Sequence, residues 1–250
     1  MYLPQNGDYI DIHIHGGVPA NGIFILESLM AHENKLPSEG SGIAYTFGIH
    51  PWFLNEQNHN QLLAAVEKSG HLPGIIAIGE AGFDRLRGPS PELQRNVFEA
   101  QIAISEELKK PVVIHCVRAW DELLSVYKKL KPQMPWLIHG FRGNVELAAQ
   151  LLSKGMFLSI WFEFALRPES AGLFRALPED RIFLETDGAD VDIRDIYKKV
   201  SNDKGITVKE LKKKILSNYK EFFLRLMGQI SISGIFIIRY QMIKTLLLKN

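Results

Sequence analysis

Eight short runs of aliphatic and β-branched residues alternate along this chain with longer amphipathic stretches, and that alternation constrains the fold more than any other feature. The candidate strands are Tyr9–Ile14, Gly22–Leu29, Ile43–Gly48, Gly74–Gly79, Pro111–His115, Trp136–His139, Met156–Ile160 and Arg181–Glu185. Several, such as IIAI and PVVIH, are near-continuous apolar runs, the pattern of strands buried on both faces of a parallel sheet. Helical periodicity marks Gln61–Ser69, Pro91–Lys109, Ala119–Leu130, Asn144–Leu152, Glu169–Ala176 and Thr207–Met227. Pro91 suits a first helical turn, and Glu92 and Glu99 precede Lys109 and Lys110 in the order the helix dipole favours. Strands and helices in alternation predict an α/β protein of the TIM type, a closed (β/α)8 barrel. Too few residues lie between the first and third strands for two crossover helices, so abbreviated connections are expected there.

A chain of 250 residues suits one such barrel undivided. Its formal net charge of +1 neither requires nor excludes a polyanionic partner, because a local basic patch can sit within a balanced total. Cys116 is the only cysteine, which excludes an intramolecular disulfide and fits a reducing, cytoplasmic compartment. The opening MYLPQNGDYI lacks a basic stretch followed by a long apolar run, so no leader peptide is expected. From Gly228 onward the chain is strongly apolar but interrupted by Arg239 and Lys244. Its longest unbroken apolar run, IFII, is far short of the roughly 18 residues that cross a bilayer. The expected organisation is therefore a single barrel over residues 1–227 and an apolar extension over 228–250 that docks on the barrel or on a second subunit. A membrane-surface anchor is the lesser reading of that extension.

Metal-seeking residues fall where five of these strands end: His13 and His15 in DIHIH, Glu80 in AIGE, His115 in PVVIHC, His139 in WLIHG and Asp187 in LETDG. In a parallel barrel the C-terminal strand ends surround one mouth, so the first, fourth, fifth, sixth and eighth strands each deliver a candidate ligand there. His13 and His15, two apart on an extended strand, point to the same side and can reach one ion. Imidazole nitrogens and carboxylates together suit divalent transition metals. A lone strand histidine is more often a core residue than a ligand, but six such residues at five strand ends are hard to obtain by chance.

Arginines also gather near these ends. Arg85, Arg87, Arg118, Arg142 and Arg167 follow the fourth to seventh strands. Guanidinium groups ringing a metal site suit phosphate oxygens, which favours Arg118 and Arg142 as phosphate contacts. Ordinary loop ion pairing, for example Arg85 with Asp84, is the alternative for the others. Trp52, Phe83, Phe141 and Trp161 either stack bases at the rim or pack. Cys116 points away from the side His115 faces and reads as a buried, inert thiol.

The succession DIHIH, GIHPW, AIGEAGFD, PVVIHC-R, IHGFRGN and LETD resembles the TatD family of metal-dependent hydrolases, from about Asp11 to Phe222 and in order. The resemblance implies a TIM barrel with deoxyribonuclease activity of 3′–5′ exonuclease type. It implies two divalent ions (zinc, manganese or magnesium), one held by His13, His15 and Asp187 and a second by His115 and His139, with Glu80 bridging them. Two ions about 3.5–4 Å apart are a standard device for phosphodiester cleavage. Asp187 and Glu80 would then be the catalytic carboxylates, Asp187 accepting the nucleophile's proton. His50 in GIHPW reads either as a phosphate or leaving-group contact or as a packing residue.

The chain departs from the family pattern in three ways. Gly16-Gly17 follows the histidine pair where Leu-Asp is usual, Gly188-Ala189-Asp190 follows LETD without the usual proline, and Asp190 and Asp192 add negative charge near the mouth. The expected partners are thus DNA ends or a small phosphorylated substrate. A hydrolase of a small ester, amide or lactone is the first alternative, and a non-catalytic metal-containing barrel that binds a phosphorylated partner is the second. Composition leaves oligomeric state open.

Overall fold

All eight expected runs pair side by side in one parallel sheet, in chain order. They are β1 (Tyr9–Ile14), β2 (Ile23–Met30), β3 (Ile43–Gly48), β4 (Ile75–Asp84), β5 (Val112–Val117), β6 (Trp136–Phe141), β7 (Phe157–Ile160) and β8 (Ile182–Leu184). This computed structural model describes residues 3–224 except 39 and 41, and the extension over 228–250 lies outside them. The two ends of the sheet meet at a seam, where the Asp187 N–H donates to the His13 carbonyl at 3.0 Å. A side chain extends that seam: the buried Asp11 carboxylate accepts the Thr186 N–H at 3.0 Å and the Thr186 hydroxyl at 2.6 Å. The sheet thereby forms the nearly closed barrel of a TIM-type (β/α)8 fold.

The helices are α1 (His59–Gly70), α2 (Pro91–Leu108), α3 (Trp120–Leu130), α4 (Val145–Leu152), α5 (Phe162–Ala165), α6 (Ser170–Ala176) and α7 (Ile193–Lys204), followed by helical residues 208–224. Ser90 caps α2 through its hydroxyl with Pro91 in the first turn, and Asn144 caps α4. As expected, no α-helix among the described residues separates β1 from β2 or β2 from β3; the only helical turn described there is the short 3-10 segment Ala31–Glu33. The helix α7 is an addition to the sequence reading. Ile193, Ile196, Tyr197 and Val200 are buried at helical spacing, but four charged residues among them (Arg194, Asp195, Lys198 and Lys199) mask the stripe. Among the described residues no helix is long and apolar enough to cross a membrane.

Helical residues 208–224 lie across the N-terminal end of the barrel. Tyr219 stands edge-on to Phe24 of β2 at 5.3 Å, and Phe222 packs on Phe157 of β7 at 5.1 Å and Phe183 of β8 at 6.1 Å. The Asn218 amide donates to the Glu179 and Ile182 carbonyls at 2.8 Å each, tying the helix to the start of β8. Phe222→Ala is expected to cost about 3–5 kcal/mol, because rigid strand residues on two sides cannot collapse into the void. A denaturant midpoint within experimental error of the parent would contradict that packing.

Candidate metal centre

Strand registers, more than strand ends, aim the candidate ligands. On β1 the pairing with β2 steps from Asp11↔Ile25 to Ile14↔Glu27, leaving one extra residue on β1 around His13. The β4 pairing with β5 steps from Ile78↔Val112 to Ala81↔Ile114, an extra residue around Glu80. On β6 the pairing with β7 steps from Ile138↔Leu158 to Phe141↔Ile160, an extra residue around His139. Such bulges turn a side chain out of the alternating pattern and are common beside active sites. Consequently β4, β5 and β6 run on past Glu80, His115 and His139 and do not stop there as the sequence suggested. Asp187, just past β8, sits at φ +54°, an uncommon conformation for a residue with a side chain.

One group of donor atoms is close to a coordination cage. His13 Nε2 lies 3.2 Å from His15 Nε2, 3.3 Å from Glu80 Oε2 and 3.5 Å from Asp187 Oδ1. His15 Nε2 lies 3.4 Å from Glu80 Oε2 and 3.6 Å from Asp187 Oδ1. Bonds of about 2.0–2.1 Å to a tetrahedral ion require donor separations of about 3.3–3.4 Å. His13, His15 and Asp187 near that spacing, with Glu80 Oε2 beside both rings, suit a divalent ion in charge as well as in size.

The second group gathers on the other oxygen of Glu80. His115 Nδ1 and His139 Nε2 lie 2.8 and 2.6 Å from Glu80 Oε1 and 3.3 Å from each other. The two nitrogen–carboxylate contacts are hydrogen-bond lengths, so protons stand where an ion would bind. The other nitrogen of each ring faces a carboxylate. His115 Nε2 is 3.1 Å from Asp84 Oδ2 and His139 Nδ1 is 3.8 Å from Glu185 Oε1. Carboxylates behind ligand imidazoles settle the tautomer and raise ligand basicity. All six residues named from the motifs are thus brought together.

His50 joins them in a different role. It is buried, its Nδ1 accepts the Trp52 N–H at 3.0 Å, and its Nε2 is 3.1 Å from Glu80 Oε1. A neutral ring that accepts at Nδ1 carries its proton on Nε2, so His50 presents a hydrogen-bond donor to the second group and no lone pair.

Burial alone would raise the Glu80 pKa, but His139, His50, His115 and His13 around it hold it well below the usual carboxylate value of 4.5. Burial would lower His139 and His115, yet Glu80 with Glu185 in the first case, and Asp84 with Glu80 in the second, hold both above 6.5. Burial lowers His13 and His50, with neighbouring histidines adding to the effect. A raised histidine stabilises the fold fully below its unfolded value of 6.5 and loses that contribution as pH rises through the higher folded value. Ion uptake must displace the same protons, so it strengthens as pH rises. The gap in Tm between metal-loaded and chelator-treated protein is therefore expected to widen from about pH 6 to about pH 8. A constant gap would show that these protons and the ion do not compete.

At the rim, Arg85 pairs with Glu122, not Asp84, and Arg167 pairs with Glu163. Among the described residues no carboxylate pairs with Arg87, Arg118 or Arg142. Arg118 and Arg142 are both exposed, and the Arg142 guanidinium lies 4.4 Å over the Trp161 ring. Arg87 lies 4.2 Å over Trp52, which is 39% exposed. Phe83 and Phe141 are buried in the core and cannot stack bases. Cys116 is half-buried, and burial pushes its thiol up, away from reactivity. The charge on Asp192 is already used: its carboxylate caps α7 at the Arg194 N–H (2.9 Å) and pairs with the Arg194 guanidinium at 3.0 Å. Three residues of the site were not placed at the centre by the sequence reading. Asp11, Asp84 and Glu185 all lie inside the quoted motifs, and their positions beside ligands were the available signal.

A family model described as TatD related DNase matches residues 26–224. A protein named 3′-5′ ssDNA/RNA exonuclease TatD from Erwinia tasmaniensis is 35% identical over 150 residues, 57% of this chain and 56% of that protein. Its namesake from Erwinia billingiae is 33% identical over 177 residues, 68% of this chain and 67% of that protein. The match thus spans little more than half the length of the first relative. A human protein named 3′-5′ RNA nuclease TATDN2 is 35% identical over 149 residues, 56% of this chain but 19% of its own length. Among solved structures, the TatD homologue YJJV from Escherichia coli superposes with a TM-score of 0.70 at 19% identity, covering 88% of this chain and 99% of that one. A TatD family hydrolase from Entamoeba histolytica does so with the same score and identity over 90% and 99%. At that identity the two structures speak to the fold alone.

Proposed function

The chain belongs to the family of TatD related DNases, and from that membership we propose that it is a metal-dependent hydrolase cleaving phosphodiester bonds from the 3′ ends of nucleic acid. The observation that carries this reading is the placement of Glu80, whose two oxygens face two separate groups of donor atoms. His13, His15, Asp187 and Glu80 would hold one divalent ion; Glu80, His115 and His139 would hold the other. When bound, such ions activate water as a nucleophile and neutralise charge on a phosphate in transit. The Glu80 carboxylate stays ionised, as a bridge requires, because histidines surround it.

Asp187 is the base in this reading. Its side chain is 27% exposed, and burial raises its pKa against the opposing pull of His13 and His139. His50, neutral and donating through Nε2–H, suits a phosphate or leaving-group oxygen. Arg118 and Arg142 supply exposed guanidinium groups for phosphate oxygens, and the Trp52 and Trp161 rings suit base stacking. Since Asp192 is paired with Arg194, its charge gives no reason to prefer an uncharged small ester over a polyanion.

The test sets end-labelled single-stranded DNA and RNA beside a panel of small esters and lactones, with zinc, manganese or magnesium and with a chelator. Shortening of the labelled strands from the 3′ end, lost on chelation, is the expected result. Turnover of the small substrates alone would replace this reading.

A further inference from the structure

Four of the five histidines around Glu80 direct Nε2 toward it, and His115 alone directs Nδ1. Something must keep the proton of that ring off Nδ1 if it is to bind an ion. Asp84 is placed to do so. Its Oδ2 faces His115 Nε2 at 3.1 Å and accepts the Trp52 indole N–H at 2.6 Å. Its Oδ1 accepts the Leu86 and Arg87 backbone N–H groups at 2.7 and 3.1 Å. A carboxylate offers about four acceptor positions, and all four are filled. The Asp84 backbone is clamped as well: Gln94 of α2 accepts its N–H at 2.8 Å and donates to its carbonyl at 3.0 Å.

Trp52 reaches the centre twice. Its backbone N–H sets the His50 tautomer at 3.0 Å, and its indole N–H anchors the Asp84 oxygen behind His115. The same ring is part of the rim and carries the Arg87 guanidinium on its face. One exposed residue therefore touches the outer support of two histidines on the Glu80 Oε1 side.

We infer that Asp84 and Trp52 are positioning residues, which lock His115 in the tautomer that offers Nδ1 to the second ion and tie that half of the centre to the rim. This rests on the two-ion reading above. In Asp84→Asn the amide can turn an N–H toward His115 Nε2, which would move the ring proton to Nδ1 and remove a ligand. Trp52→Phe keeps the aromatic face for Arg87 but deletes the anchor on Asp84.

The experiment titrates metal-free full-length protein with zinc alone, following stoichiometry and affinity calorimetrically, and reads the His115 tautomer from long-range nitrogen–proton couplings. The parent is expected to bind two ions, with His115 protonated at Nε2. Asp84→Asn should weaken only the second binding event by roughly 10- to 100-fold, the range for loss of a carboxylate behind a metal ligand, and Trp52→Phe by about 10-fold. If Asp84→Asn does not fold, Trp52→Phe carries the test, since its site is exposed. Two-ion binding at parental affinity in both variants, or a His115 proton found on Nδ1 in the zinc-loaded parent, overturns the inference and leaves the proposed function standing. A parent that binds only one ion overturns both.

Discussion

Glu80→Ala is expected to lower kcat/KM on a single-stranded oligonucleotide by roughly 10³-fold or more, about 4 kcal/mol at 1.36 kcal/mol per decade. Glu80 is the side chain that touches both donor groups, at 3.3 and 3.4 Å through Oε2 and at 2.8 and 2.6 Å through Oε1. Without it each group loses a ligand, and the five histidines around it lose the anion that balances them. Bound metal, measured by elemental analysis after dialysis, should fall in parallel. Glu80→Gln separates shape from charge: it keeps the volume and should lose nearly as much activity, because a neutral amide cannot bridge two cations. Nuclease activity that survives Glu80→Ala at the parental level would point to a contaminant and remove the basis of the proposed function.

Gly82→Ala is expected to destabilise the fold by about 3–5 kcal/mol, enough to prevent accumulation of native protein if the parent is marginal. Gly82 sits at φ +147°, and a Cβ there would lie 2.0 Å from the His115 carbonyl oxygen. The neighbour is backbone, so no rotamer change relieves the overlap; β4 and β5 would have to part beside the metal centre. Gly172→Ala in α6 is the matched control, because nothing lies within 4 Å of the added atom and its φ is ordinary. There alanine should be neutral or stabilising by up to about 1 kcal/mol. Equal unfolding midpoints for the two variants would refute the close approach of β4 to β5.

The strand order and the six clustered side chains were legible because apolar runs and motif residues are local properties of the chain. The registers were not. Whether β4 carries one residue more than β5 between Ile78 and Ala81 depends on its partner, and a single extra residue reverses which face every later side chain takes. That is why Phe83 and Phe141, both just beyond such a step, read as possible rim aromatics and prove to be core. Asp84, Glu185 and Asp11 were hidden for another reason. A carboxylate that supports a ligand or closes a seam has the same composition as one that faces water, and only the partner across the barrel distinguishes them. The two expectations about arginine fared differently: Arg118 and Arg142 keep exposed guanidinium groups, while Arg85 found its carboxylate on α3 at Glu122.

Counting residues between fixed hydrogen-bond rungs also says how such a centre tolerates change. Loops around the mouth can vary in length and chemistry without disturbing aim, because orientation is stored inside the strands. Removing one residue between Asp11 and Ile14, between Ile78 and Ala81 or between Ile138 and Phe141 would bring the strand back into step with its neighbour and swing His13, Glu80 or His139 out of the lumen. Relatives that keep the activity should thus differ freely by insertions outside these three intervals and never by a single deletion within them.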